Sequence, residues 1–338
     1  MEQTRVTAVT VVYGDRWSLL KQVAEATLSD PKTTTFVIVD NGCSDSEAMD
    51  TYAGNYPGRI VILRQPKNIG YSGAIEKGLA YARTTDCDFV FVLDDDSIPE
   101  EGAIDMFLEN LKLFPDQKVV LAGNRVNVPG NSKIFRQPVL AHPVPKGTLF
   151  EVFSFKKIIA LFRLLMRIPM SADRPFVPIV PMEAFVTGGT FLPIEAVREA
   201  PLPDGSLFIY GEDLEYSWRI IRLGYRAYVC ARPHITDIDM TFPQEGGHIF
   251  GLFDSKFPPY KVYYRTRNAV IISRRNTIQS SPVLLLNIVI RTIGLLLIGL
   301  FSAGPTPTFA FRARIILRAV RDGYRHPWPL PSYINAPV

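Results

Sequence analysis

Cysteine is scarce in this chain of 338 residues: Cys43, Cys87 and Cys230 are odd in number, widely spaced and without a CxxC pair. That spacing argues against a disulfide framework and a cysteine-built zinc site, and it suits a reducing compartment, so a cytoplasmic protein is expected. No charge of one sign dominates. With 37 basic and 33 acidic side chains the formal charge is +4, which points no global field at nucleic acid and leaves any basic feature local. The N-terminus, MEQTRVTAVTVVYGD, lacks a basic segment followed by a long apolar core and reads as a first strand, so secretion is not expected. Nor does TVVYGDRW supply the glycine-rich basic loop that would cradle phosphates in a nucleotidyltransferase. What the chain has in plenty is apolar residues, 47% of the total, ample for a packed core.

The first hundred residues alternate short β-branched runs with helical stretches. Hydrophobic spacing predicts strands at Val6–Tyr13, Thr35–Asp40, Ile60–Arg64 and Phe89–Leu93, and helices at Trp17–Leu28, Ser46–Tyr56 and Tyr71–Arg83. That βαβ series, with near-continuous apolar strands, implies an α/β fold whose mostly parallel, Rossmann-like sheet is covered on both faces and binds ligands at the carboxyl ends of its strands. Three polar clusters fall at such ends: Tyr13-Gly14-Asp15, Asp40-Asn41-Gly42 and Asp94-Asp95-Asp96.

The third cluster is the most telling. In DFVFVLDDDSIPEEG a buried-looking strand runs directly into three carboxylates, whose mutual repulsion needs a cation or a donor-rich environment to offset it. Hard oxygen ligands in this number suit Mg²⁺ or Mn²⁺, which leave coordination positions for phosphate oxygens. An ordinary strand, Asn-Gly turn and helix cap also accounts for VIVDNGCSD, without preventing Asp40 from binding a ligand. GEDLEYSWR would open a helix with Glu212 and Asp213 in its first turn and Glu215 beside them. They are either candidate proton acceptors or an acidic N-terminus paired with Arg219 and Arg222. Gly188 and Gly189 allow close approach of backbone to a ligand, or form a plain turn.

Taken in order, TVVYGD, VIVDNGCSD, NIGYSGAIEKGLAYA, FVLDDDSIPEEG, VTGGTFLPIEAV, FIYGEDLEYSWRIIRLGYR, His234 and VYYRTRNAVIISRR resemble a family 2 inverting glycosyltransferase of the GT-A fold, with the motif pattern of bacterial galactofuranosyl- and rhamnosyltransferases. The spacing of LDDD from GEDLEYSWR, about 120 residues, is the strongest part of the match. The resemblance implies a nucleotide-diphosphate sugar donor and a Mn²⁺ or Mg²⁺ cofactor. It assigns Asp40 to the nucleobase, Asn68 and Gly70 to the nucleotide pocket with Tyr13 on the same rim, Asp94 and Asp95 to the sugar-nucleotide, and Asp94, Asp96 and His234 to the metal. It makes Asp213 the general base, aided by Glu212, and puts Gly188, Gly189 and Glu215 on the acceptor side. Tyr264, Arg267 and Asn268 match a further signature, in which Arg267 contacts the diphosphate or pairs with buried carboxylates. The donor the pattern suggests first is UDP-galactofuranose, then dTDP-rhamnose; a noncatalytic sugar-binding protein on the same fold is the alternative outside enzymes.

The expected catalytic domain spans residues 1–250 and a helical C-terminal region residues 251–338. FKKIIALFRLLMRIPM spaces Lys156, Arg163 and Arg167 along an otherwise apolar helix, and Arg314, Arg318, Arg321 and Arg325 form a second stripe. Both suit a membrane surface. Between them, the run Val283–Phe301 would just span hydrocarbon but for Arg291 near its middle. An in-plane or packed helix is preferred, packed either on the catalytic domain or in a homo-oligomer interface. The expected partners are an anionic membrane on the inner face of the cell and a lipid-linked or polysaccharide acceptor.

Overall fold

Alternation inside the apolar strands decides the architecture. The computed structural model describes residues 4–127, 134–136, 175–239, 252–254, 257–277 and 281–326. In β1 (Val6–Gly14), Val9 and Val11 are buried on one face of the sheet while Ala8 and Val12 are buried on the other. In β2 (Thr33–Cys43) Val37 and Val39 oppose Phe36 and Ile38, and in β4 (Phe89–Val92) Val90 and Val92 oppose Phe91. Strands apolar on both sides need two covering layers. α3 (Gly70–Ala82) brings Ile75 and Leu79, and α6 (Glu212–Arg222) brings Tyr216 and Ile220, to the first face. α1 (Trp17–Ser29) brings Leu20 and Val23, and α4 (Ala103–Leu111) brings Ile104 and Phe107, to the second.

The nine strands form one sheet in the order β3-β2-β1-β4-β8-β6-β9-β5, with β7 paired to β9. The half made of β3 (Ile60–Arg64), β2, β1 and β4 is parallel, as the βαβ pattern predicted. Beyond it β8 (Thr190–Pro193) runs antiparallel between β4 and β6 (Val119–Arg125). β9 (Arg226–Asp237) is parallel to β6 but antiparallel to β5 (Ser97–Pro99) and β7 (Ile179–Met182). Several predicted limits shift by one or two residues, and β2 shifts furthest, continuing through Asp40, Asn41 and Gly42 to Cys43, while α3 starts one residue early at Gly70. Short helices α2 (Ser46–Gly54) and α5 (Ile194–Glu199) complete the layers.

Three helices follow: α7 (Pro259–Ile272), α8 (Ser281–Ala303) and α9 (Pro307–Arg325). They have their own apolar cluster, built from Leu252, Phe253, Phe257, Val262, Leu295 and Ile316. Thr306 caps α9, its hydroxyl accepting from Phe309 N at 3.2 Å. The FKKIIALFRLLMRIPM stretch lies outside the described residues.

α3 seats directly on the sheet at Gly78, where a Cβ would lie 2.5 Å from Val9 Cγ1 and 3.1 Å from Val39 Cγ2. Gly78→Val should therefore lose about 2 kcal/mol through overpacking. Urea denaturation followed by circular dichroism checks this; an unchanged midpoint would mean that the helix can lift without cost.

Candidate active site

The carboxyl ends of β1, β2 and β4 meet at one rim, and the residues just beyond β4 carry the acid triplet. Asp95 is buried, and Arg16, at the start of α1, grips it with two parallel bonds: Nε to Oδ2 at 2.7 Å and Nη2 to Oδ1 at 2.8 Å. The same guanidinium lies 3.1 Å from Asp96 Oδ2 and pairs with Asp239 at 2.5 Å, with its plane 5.7 Å from the Tyr13 ring centroid. A second guanidinium, Arg125, spans Asp94 at 3.1 Å and Asp237 at 2.9 Å; Ser97 Oγ donates to Asp237 as well. Among the described residues, then, five carboxylates share two guanidiniums. At an effective dielectric of about 20, unit charges 4 Å apart interact by about 4 kcal/mol, so each cation removes a large repulsion and an excess of acid remains. Burial, then Asp94 and Asp95, push Asp96 up to about 7. A hard divalent cation fits that surplus: Asp94 and Asp96 would hold it, while Asp95 is already committed to Arg16.

Across the rim, Asp213 sits in the first turn of α6. Thr187 fixes it, donating from Oγ1 at 2.5 Å and from its backbone N at 3.3 Å to Oδ1. Tyr71 OH lies 3.1 Å from Thr187 Oγ1 and 3.3 Å from Asp94 Oδ1, so two hydroxyls link Asp94 to Asp213. Burial raises Asp213 to about 6, against the pull of the Thr187 hydrogen bond, and raises its neighbour Glu212 to about 8, with Asp213 adding to the effect. Glu212 is buried, and its Oε2 has no hydrogen-bond partner among the described residues. Burial and mutual repulsion raise both carboxyls, so they share charge as a pair. A carboxylate held near neutral pH suits a proton acceptor. Gly188 belongs here too: a Cβ on it would lie 2.3 Å from Asp94 Oδ2, so only glycine leaves the carboxylate its place. Gly189, at φ +81°, donates to Val92 O at 2.8 Å and turns the chain into β8.

Other expected residues take different places. Asp40 is buried, with Oδ1 accepting from Gly42 N and Cys43 N and Oδ2 from Ser46 Oγ, so its first task is to shape the carboxyl end of β2 and its step into α2. Asn68 Oδ1 accepts from Asn41 Nδ2 and Gly70 N, tying α3 to the end of β2. Gly70, at φ +78°, is required because a Cβ there would lie 2.3 Å from Phe208 O. Glu215 is not on an open acceptor face: it is 2% exposed, and Arg219 and Arg275 hold its Oε1 inside the protein. Among the described residues Arg267 reaches no carboxylate; its Nη2 donates to Ser206 O at 2.6 Å. His234 turns toward Glu100, with Nδ1 3.7 Å from Oε2, and no group of three His, Cys, Asp or Glu side chains among the described residues could hold an ion. Parity explains the difference. In β9 Asp237 lies three residues on from His234 and so points to the opposite face, the one that meets Arg125.

Arg16, Arg125, Asp237, Asp239, Tyr71 and Thr187 were not singled out from the sequence. Asp237 and Asp239 share the segment DIDM, a local acidic signal after His234; each of the others stands alone in its own segment, and only the fold brings it to the rim.

Thr187→Val removes the bond that lowers the Asp213 pKa. Because Asp213 must be ionised to accept a proton, the acidic limb of the rate profile should move to higher pH, and the rate at neutral pH should fall about 10–100-fold, part of the roughly 10²–10⁴-fold that general-base assistance supplies in full. A pH–rate profile tests it, and an unmoved limb would separate Thr187 from the base.

Residues 7–166 match the description Glycosyl transferase family 2. The chain is 23% identical over 232 residues to Galactofuranosyltransferase GlfT1 of Mycolicibacterium smegmatis, covering 68% of this chain and 70% of that protein. It is 25% identical over 226 residues to the GlfT1 of Mycobacterium tuberculosis, with 67% of each covered. Its fold is similar to a crystal structure of GalNAc-T7 with UDP, GalNAc and Mn²⁺, at TM-score 0.53 and 13% identity, over 80% of this chain and 51% of the longer GalNAc-T7 chain. An acid rim beyond a parallel half-sheet, a carboxylate on a helix start across from it and these likenesses agree: the chain is a glycosyltransferase of the GT-A fold whose residues 7–166 match glycosyl transferase family 2.

Proposed function

We propose that the enzyme transfers a sugar, with inversion, from a nucleotide-diphosphate donor to a hydroxyl of a lipid-linked or polysaccharide acceptor. The observation that carries the reading is the pairing of Asp213, held by Thr187 and raised by burial, with the acid rim at the other end of the Tyr71–Thr187 chain. Asp213 takes the acceptor hydroxyl's proton as that oxygen attacks the anomeric carbon. Glu212, buried beside it and raised by burial and by Asp213, shares the pair's charge with the base. Asp94 and Asp96 hold the divalent cation, which, when bound, offsets the charge developing on the departing diphosphate. Gly188 keeps the space beside Asp94 free. UDP-galactofuranose is the first donor, supported by the two galactofuranosyltransferase relatives, and dTDP-rhamnose the second.

The acceptor reading rests on the C-terminal helices. On α8, Leu285, Val289, Ile293, Leu297 and Phe301 recur every fourth residue and are exposed. The opposite side packs inward: Leu284 and Ile288 lie in one cluster with Val270 and Val320, and Leu295 in another with Val262 and Ile316. On α9 the exposed positions interleave Phe311, Leu317 and Tyr324 with Arg314, Arg318, Arg321 and Arg325. Leu284–Ala303 is long and apolar enough to cross a membrane by length and composition, but a helix with one side seated on its own protein suits half-immersion in the cytoplasmic leaflet better than a span. Basic side chains beside it would meet anionic headgroups.

A donor panel with and without Mn²⁺ tests the chemistry. UDP-galactofuranose turnover should need the ion, rise as pH rises through about 6, and drop at least about a thousandfold in Asp213→Asn, a loss on the scale of removing an essential catalytic group; turnover that survives that variant would remove Asp213 from the mechanism. Flotation with anionic liposomes at low salt tests the surface, and a protein that stays at the bottom of the gradient contradicts it.

A further inference from the structure

The segment that aims Asp213 is held in a backbone conformation it would not adopt alone. After the short 3₁₀ turn Gly205–Leu207, Phe208 (φ +67°), Tyr210 (φ +71°) and Gly211 (φ +89°) are left-handed in quick succession. For Phe and Tyr this region is costly, and such residues persist only where their surroundings over-determine them. Here every carbonyl from Ser206 to Tyr210 is tied. Ser206 O accepts from Arg267 Nη2 at 2.6 Å, and Leu207 O from the same nitrogen at 3.1 Å. The buried Asn268 amide donates at 2.8 Å to Leu207 O, Ile209 O and Tyr210 O, three acceptors sharing two protons. Phe208 O accepts from Ser72 N at 3.0 Å.

All of these holds except the Ser72 bond, which comes from α3, converge from one face of α7. Tyr264 stacks on Phe208 with ring centroids 4.6 Å apart, and Arg267 Nε donates to Asn268 Oδ1 at 2.9 Å, which turns the amide's NH₂ toward the loop. Ile272 lies where a Cβ on Gly211 would fall, 2.2 Å from its Cδ1. Positions 264, 268 and 272, with 267 beside them, repeat at the helical spacing of four. α7 is itself backed by α9, where the bare Gly323 allows contact with Arg267 O and Asp322 accepts from Tyr263 OH at 2.8 Å.

We propose that Asn268, oriented by Arg267, is a positioning residue for the catalytic carboxylate: it acts through the Leu207–Gly211 backbone on the start of α6 and touches neither donor nor acceptor. This rests on the reading of Asp213 as the base. It makes α7, beyond the expected limit of the catalytic domain, part of the machinery, and it gives the YYRTRN signature a task other than diphosphate binding.

Asn268→Asp keeps the shape but replaces a donor with a carboxylate facing three carbonyls. In hydrogen exchange, amides 208–213 should exchange at least tenfold faster in this variant, while those of Phe89–Val92 stay unchanged. Turnover of UDP-galactofuranose should fall at least a hundredfold in kcat, with KM for the donor and the affinity for Mn²⁺ alone within threefold of wild type. Arg267→Gln, a milder change at a partly exposed position, should show the same split with about a tenfold loss in kcat. Unchanged exchange at 208–213, a kcat within threefold of wild type, or equal losses in kcat and Mn²⁺ affinity would each overturn the proposal. If Asp213→Asn is inactive while the Asn268 and Arg267 variants retain kcat, the positioning role fails and the base stands; if Asp213→Asn is itself active, the base assignment fails first.

Discussion

The ion pair between Arg16 and Asp95 is the constraint on which the acid rim depends. A sheet that buries both faces must leave β4 at its carboxyl end, and here it leaves into Asp94, Asp95 and Asp96, with Asp237 and Asp239 arriving from β9 and just beyond. Carboxylates this close cannot all stay ionised without cations among them. Arg16 satisfies the buried middle acid with a two-pronged grip, which fixes the turn, and reaches Asp96 at 3.1 Å as well. Arg125 does the same for Asp94 and Asp237 from the far side, so the rim is assembled from both halves of the sheet.

The opposing group is set by a different logic. Asp213 is aimed by backbone: a run of left-handed residues clamped from α7, then a helix start at Gly211. Thr187 and Tyr71 complete the positioning from the strand side and join it to Asp94. Glycines mark the tight places. Gly70 admits Phe208, Gly188 admits Asp94 and Gly211 admits Ile272, and at each a side chain would displace a group that the site needs.

Much of this was legible in the sequence because it is local. The apolar strands, their βαβ order and the acid triplet at a strand end follow from periodicity and from the oddity of DDD after FVFVL. The antiparallel β8 between β4 and β6 was not, since its pairing depends on a return of the chain from about a hundred residues away. Arg16 looked like an ordinary helix-start residue; its partner lies 79 positions on. Glu215 and Arg267 carry internal contacts that their motifs do not reveal: a charged residue in a motif suggests an open site, whereas Glu215 meets Arg219 and Arg275, and Arg267 meets carbonyls. His234 was placed by position in a pattern, and strand parity turned it toward Glu100 instead.

The central claim is that one rim holds a cation through Asp94 and Asp96 while Asp213 faces it across the acceptor space. A crystal structure with Mn²⁺ and a nucleotide diphosphate tests that most directly. The account predicts the ion within coordination distance of Asp94 or Asp96, Arg16 still paired with Asp95, and the Asp213 carboxylate open to the cavity beyond the diphosphate. An ion bound away from both acids, or Asp213 turned into the protein interior, would contradict it.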